Sequence, residues 1–97
     1  MYIQSKNVDF EWNRKKADAN LTKHGVDFAD CVAVFTDDRG ITIQELSSED
    51  EKRWITIGLD SLGRLIDVVY TWRGDRIRII SAWKASKTEQ EQYGRKE

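Results

Sequence analysis

Proline is absent from these 97 residues, and cysteine, histidine and methionine occur once each. The single Cys31 excludes an intramolecular disulfide, and its place in an apolar helical stretch marks it as a small buried residue rather than a nucleophile. One histidine and one cysteine fall short of a ligand set, so no metal and no cofactor are expected. No apolar run approaches the roughly 18 residues of a spanning helix, and no secretory h-region is present, so the expected location is the reducing cytoplasm with no membrane contact. With no repeat and no low-complexity stretch, nothing signals a linker, and 39% hydrophobic residues suit one domain over 1–97. A formal net charge of -1, from 16 basic and 17 acidic residues, gives no global pull on a polyanion. Any nucleic-acid contact must therefore come from local clustering of Lys and Arg.

What is present reads as an α+β chain. Residues 8 to 12 alternate in polarity and predict a short first strand. Asn13 is placed to cap a helix that carries Ala17 and Leu21 at helical spacing and ends at Gly25. Asp27 opens a second helix, with Phe28, Cys31, Val32 and Phe35 as its apolar stripe and an end near Phe35. Asp37 to Gly40 is a turn signal, Ile41 and Ile43 alternate as in a strand, and 47 to 51 form a polar connection. Strands are predicted over 53–59 and 64–72, joined by the Asp60 to Gly63 hairpin, and over 75–83 beyond Arg73-Gly74. A two-residue Arg73-Gly74 turn sets Tyr70 opposite Ile77, Val68 opposite Ile79, Ile66 opposite Ser81 and Arg64 opposite Trp83; a three-residue turn flips one strand's faces. Ser86 and Glu89 have capping-box spacing and start a last helix near residue 87.

The chemistry lies in cations at sheet and helix ends. Arg64, Trp83, Lys84 and Lys87 converge on one end of the sheet in either register. They suit two readings: solvated strand-end charges beside a packed tryptophan, or a phosphate clamp, since a guanidinium fork matches phosphate oxygens. His24 shares a helix face with Ala17 and Leu21 and reads either as a satisfied, half-buried histidine or as a proton carrier. Tyr93 lies one turn after Glu89 and reads as a core residue or as a stacking or proton-transfer group. Trp54, Trp72 and Trp83 suit either packing or base stacking, with packing preferred for Trp54.

Several runs, in order, are carried together: Phe10-Glu11-Trp12, Lys16-Ala17, Asn20-Leu21, Lys23-His24-Gly25-Val26, Phe28 and Val34-Phe35. They are followed by Glu51, Arg53-Trp54, Ile57-Gly58, Gly63-Arg64, Val68 to Tyr70, Arg73-Gly74, Arg78 to Ala82, Glu89 and Tyr93. This pattern resembles the BrnT family of toxins over nearly the whole chain. The resemblance implies a RelE-like α+β fold: a short N-terminal strand, two helices, a mainly antiparallel sheet and a C-terminal helix. It also implies a metal-independent endoribonuclease that cleaves RNA and inhibits translation, a BrnA-like antitoxin partner, and operator DNA bound only through the antitoxin complex. By position, the resemblance makes Arg64, His24, Lys84, Lys87 and Tyr93 the candidate active-site residues, Arg64 being the principal phosphate ligand; Arg64, His24, Lys87 and Tyr93 are expected to be catalytic, and Lys84, Arg53, Arg78 and Trp83 substrate-binding.

Trp83 departs from this pattern, because family members usually carry arginine after Ile-Ser-Ala, and a lysine at 84 does not reproduce an arginine fork. Thr88 and Gln90 also stand where the family tends to be basic. A second function class is therefore a catalytically attenuated module that binds its antitoxin and acts in operon repression. A third is an interaction domain unrelated to RNA. Leu59, Leu62 and Leu65 are candidates for partner contact.

Overall fold

The structure is a computed structural model that describes residues 2–5, 8–45 and 51–95. The connection expected from residue 47 lies, up to Asp50, outside these residues, as do Lys96 and Glu97. In chain order the elements are β1 (Tyr2–Ser5), β2 (Val8–Glu11), α1 (Arg14–His24), α2 (Phe28–Cys31), a 3-10 turn (Val32–Thr36), β3 (Ile41–Glu45), β4 (Arg53–Leu59), β5 (Leu65–Arg73), β6 (Arg76–Lys84) and α3 (Lys87–Arg95). Six strands form one sheet in the order β1-β2-β6-β5-β4-β3, antiparallel at every step except the parallel β2–β6 pair. The α+β class, the capped first helix, the hairpins and the last helix are as expected. None of the described helices is long and apolar enough to cross a membrane.

Three expectations about elements change. The single N-terminal strand is a hairpin, since β1 pairs antiparallel with β2 along Tyr2 to Ser5. The second helix is one α turn that tightens into a 3-10 turn. Val32 and Val34 are β-branched and lose side-chain freedom in an α-helix, and the Thr36 hydroxyl donates to the Ala33 carbonyl at 2.9 Å, which favours the tighter turn. The β5–β6 register also differs. Gly74, at φ +63°, sits first in a Gly74-Asp75 loop, so Arg73 faces Arg76 and Tyr70 faces Ile79. A bulge between Val69 and Tyr70 leaves Ile80 unpaired, after which Val69 faces Ser81, Asp67 faces Trp83 and Ile66 faces Lys84. Trp83 therefore lies opposite Asp67, not Arg64.

One face of the sheet carries the core. Phe10, Ile66, Val68, Tyr70, Ile77, Ile79 and Ala82 pack against Val26, Phe28, Cys31 and Val34. Phe28 is fully buried and meets Trp12 edge to face at 6.3 Å; burial of one such side chain stabilises by about 1.5–3 kcal/mol. Cys31 is fully buried, and desolvation, with nearby Asp60, Asp30 and Asp27, pushes its thiol up to about 12, so it is inert. Gly58 is required by close approach, because a Cβ there would lie 3.1 Å from a Val34 methyl and 3.2 Å from Asp37 Oδ2.

The first helix docks through a polar residue rather than an apolar stripe. Leu21 is exposed and Asn20 is the buried position of α1. β2 pairs with β6 only as far as Arg78, so the Ala82 peptide faces α1 instead of a strand. Asn20 takes the place of that strand. Its side-chain oxygen accepts from the Ala82 N–H at 3.1 Å, and its amide donates to the carbonyls of Ala82 (2.9 Å) and Val26 (3.0 Å). Asn20→Ala leaves three buried backbone groups without partners and is expected to cost about 2–4 kcal/mol, measured as a shift of the urea midpoint.

Candidate active site

Two loops and two helix ends meet where β5 begins and β6 finishes. Arg64 precedes β5, and its guanidinium is held on three sides. Nε donates to Asp60 Oδ2 at 2.9 Å, Nη2 lies 2.8 Å from the same oxygen, and Nη1 donates to the Gly25 carbonyl at 2.9 Å. The Asp60 side chain is fully buried and also accepts the backbone N–H groups of Leu62 and Arg64, so the turn and the cation form one rigid unit. Gly25, at φ +71°, ends α1 in the left-handed conformation that suits glycine and turns its carbonyl to Arg64. A guanidinium has five N–H donors, and these contacts use three, so two remain for a ligand.

Arg64 lines a hollow of about 480 Å³ with Lys84, Tyr93, Leu59, Leu65, Ala85 and Gln90. No carboxylate lines it among the described residues. Tyr93 reaches the rim from α3, where its hydroxyl donates to Asp37 Oδ2 at 2.7 Å and the Arg39 guanidinium stands 5.2 Å from its ring centre. Desolvation and the adjacent Asp37 carboxylate push the phenol above its usual pKa, so it keeps its proton. Burial raises Asp37 as well. There the Leu59 N–H, the Tyr93 hydroxyl and Arg39 outweigh it and hold the carboxyl below its usual range.

The remaining predicted residues divide into two groups. His24 ends α1 beside this hollow, with its ring centre 6.0 Å from that of Trp83. Lys87 opens α3 and is exposed without lining the hollow. Arg53 and Arg78 are at the opposite end of the sheet, each six strand positions from Leu59 or Lys84, about 20 Å away. Arg78 is committed there to Glu11 at 2.7 Å.

A contact that sequence spacing did not reveal lies under Trp83. The indole N–H donates to Asp67 Oδ2 at 3.1 Å, and Asp67, 2% exposed, meets the Glu89 carboxylate of α3 on its other side. Two carboxylate oxygens bond to each other only if one carries a proton. Burial and Glu89 raise Asp67 to about 7, while Glu89, which also accepts the Ser86 N–H at 2.8 Å, is lowered. Asp67 is therefore the acid and Glu89 the base of a shared-proton pair that ties α3 to β5. An acid inside the β-branched run from Leu65 to Thr71 was the legible signal. Asp60 left a weaker one, its i,i+4 spacing to Arg64.

The profile of the ribonuclease toxin BrnT of type II toxin-antitoxin systems matches residues 12–89. The chain belongs to the BrnT family. It is accordingly a ribonuclease toxin of a type II toxin-antitoxin system, an enzyme with RNA as substrate and an antitoxin as partner. The crystal structure of the Brucella abortus ribonuclease toxin BrnT superposes with a TM-score of 0.60 at 28% identity, over 78% of this chain and 94% of that one. No curated protein matches. The match to the BrnT profile begins at Trp12 and ends at Glu89, so it takes in Arg64, His24, Lys84 and Lys87 and stops short of Tyr93.

Proposed function

We propose that the hollow bounded by Arg64, Lys84 and Tyr93 is where this BrnT-family toxin cleaves RNA, without a metal. The observation that carries this reading is an arginine fixed by Asp60 and Gly25 with two donors left over, facing a space lined by a lysine and a tyrosine and, among the described residues, by no carboxylate. In such cleavage the ribose 2′-hydroxyl attacks the adjacent phosphorus, the bond to the 5′-oxygen breaks, and one proton is taken while another is given. Arg64 and Lys84 face the charge that builds on the phosphoryl oxygens, and Lys87 adds a longer-range cation from the start of α3. Tyr93 turns its hydroxyl from Asp37 and gives its proton to the leaving 5′-oxygen. His24, joined to Arg64 through Gly25, takes the proton of the 2′-hydroxyl.

This reading keeps the 97 residues as one toxin domain working in the cytoplasm, where a BrnA-type antitoxin covers the toxin and carries it to operator DNA. Leu59, on the hollow's rim, and Leu62, in the hairpin beside it, are exposed and suit contact with that antitoxin. The attenuated reading draws on Trp83, whose one donor is spent on Asp67. That substitution removes a cation beside the hollow and leaves Arg64 in place, which fits slower cleavage rather than none.

End-labelled RNA incubated with the protein in excess chelator is expected to be cut, with Tyr93→Phe slower by about 10²-fold. Cleavage that stops with chelator would refute the metal-free mechanism, and an unchanged rate in Tyr93→Phe would remove the tyrosine from it.

A further inference from the structure

A second hollow, of about 210 Å³, lies between α1 and β6 and is lined by Lys16, Ala19, Asn20, Lys23, His24, Ile80 and Ser81. Residues 16, 20, 23 and 24 follow helical i, i+4, i+7 and i+8 spacing, so α1 turns one polar stripe toward the end of β6. Asn20 is consumed by the Ala82 and Val26 peptides, which leaves Lys16, Lys23 and His24 as the ionisable groups of the hollow. Among the described residues no carboxylate lines it, and none of the ion pairs involves these three side chains. The hollow beneath Trp12, by contrast, is lined by Asp18 and Asp27 as well as Arg14 and suits no anion. In a chain with net charge -1, two hollows that each hold at least two cationic side chains and, among the described residues, no carboxylate are a local segregation of charge.

The two hollows are neighbours. Arg64 of the first donates to Gly25, the neighbour of His24 in the second, and the His24 ring lies 6.0 Å from Trp83, the neighbour of Lys84 in the first. The half-buried indole of Trp83 thus stands on the ridge between them.

We propose that the α1–β6 hollow is a second phosphate subsite, in which Lys16 and Lys23 hold a backbone phosphate of single-stranded RNA flanking the bond cleaved at Arg64, while Trp83 stacks the intervening base. The subsite rests on the reading of the Arg64 hollow as the cleavage centre. In this arrangement Trp83 replaces a cation with an aromatic platform, so grip on the RNA shifts from the ridge to α1.

The test uses the full chain and a short 2′-O-methyl RNA, which binds but cannot be cleaved, with affinity read by fluorescence anisotropy across a salt series. Losing the grip on one phosphate of a single strand lowers the slope of log affinity against log salt by about 0.7. Lys16→Ala with Lys23→Ala is expected to show that loss and at least about tenfold weaker binding at low salt. Lys15→Ala with Lys52→Ala removes the same charge from exposed positions outside the hollow and is expected to keep the wild-type slope. An unchanged slope in the first pair, or an equal loss in both pairs, overturns the subsite. If the first pair alone loses slope while the wild type cuts no RNA, phosphate binding in the α1–β6 hollow stands, and its role beside a cleaved bond falls with the cleavage reading. If the wild type cuts RNA and the first pair keeps its slope, the cleavage reading stands and the subsite falls.

Discussion

Replacing Arg64 with alanine is expected to lower RNA cleavage by about 10²- to 10³-fold, the cost of removing one preorganised donor group from a developing oxyanion. The same change is expected to lower stability by about 1–3 kcal/mol, because the fully buried Asp60 carboxylate loses its cation and keeps only two backbone donors. Two consequences from one residue call for two readouts. Arg64→Lys retains a charge without the fork to Asp60 and Gly25, so it is expected to recover part of the stability and little of the rate. Cleavage measured beside a urea melt separates the roles. A variant that is destabilised yet cuts at the wild-type rate would reduce Arg64 to a strut between β5 and α1.

The second large effect is a dependence of stability on pH set by Asp67. In the unfolded chain this carboxyl ionises in the usual range near 4, whereas in the fold burial and Glu89 hold it protonated to about 7. Between those values the folded state carries a proton that the unfolded state has lost, so stability falls as pH rises, by about 1.4 kcal/mol per unit, and levels off above about 7. Glu89, lowered in the fold, works in the opposite sense and only at more acidic pH. Asp67→Asn reproduces the neutral acid, with an oxygen for the Trp83 N–H and an amide for Glu89. It is expected to flatten the decline, so that the variant is the more stable protein at pH 8 and close to wild type at pH 4. Urea midpoints at four or five pH values check this, and parallel curves would dismiss the shared proton.

Both effects turn on carboxylates whose partners are remote in sequence or hidden by a turn, which is where reading the chain alone falls short. Asp60 was legible as a turn residue, but its full burial follows only once Arg64 folds back over it to reach Gly25, 39 positions away. Asp67 and Trp83 are sixteen residues apart, and they became opposite neighbours through one unpaired residue, Ile80. A bulge of one residue flips the faces of everything beyond it, and no periodicity in Arg76 to Lys84 announces it. Asn20 is a similar case. Helical spacing gave prominence to Ala17 and Leu21, yet the open edge of β6 had a stronger demand, two unpaired peptide groups that only a side-chain amide can serve together.

Local chemistry, by contrast, was decided within a few residues. Asn13 accepts from the Lys16 N–H, Asp27 from the Ala29 N–H, Gly25 takes the left-handed turn, and Ser86 and Glu89 exchange capping bonds. These signals located the helix starts and the end of α1 because each satisfies backbone groups no more than a turn away. The order of motifs from Trp12 to Glu89 likewise identified the family. Tertiary structure decided which cations share a space. Arg64, Lys84 and Tyr93 meet because the start of β5, the end of β6 and the last turns of α3 come together, while Arg53 and Arg78, alike in charge, are carried a strand's length away. Charge and residue type are properties of the sequence. Convergence depends on strand register and on which peptide edges remain open, and those are settled only when the sheet closes on its helices.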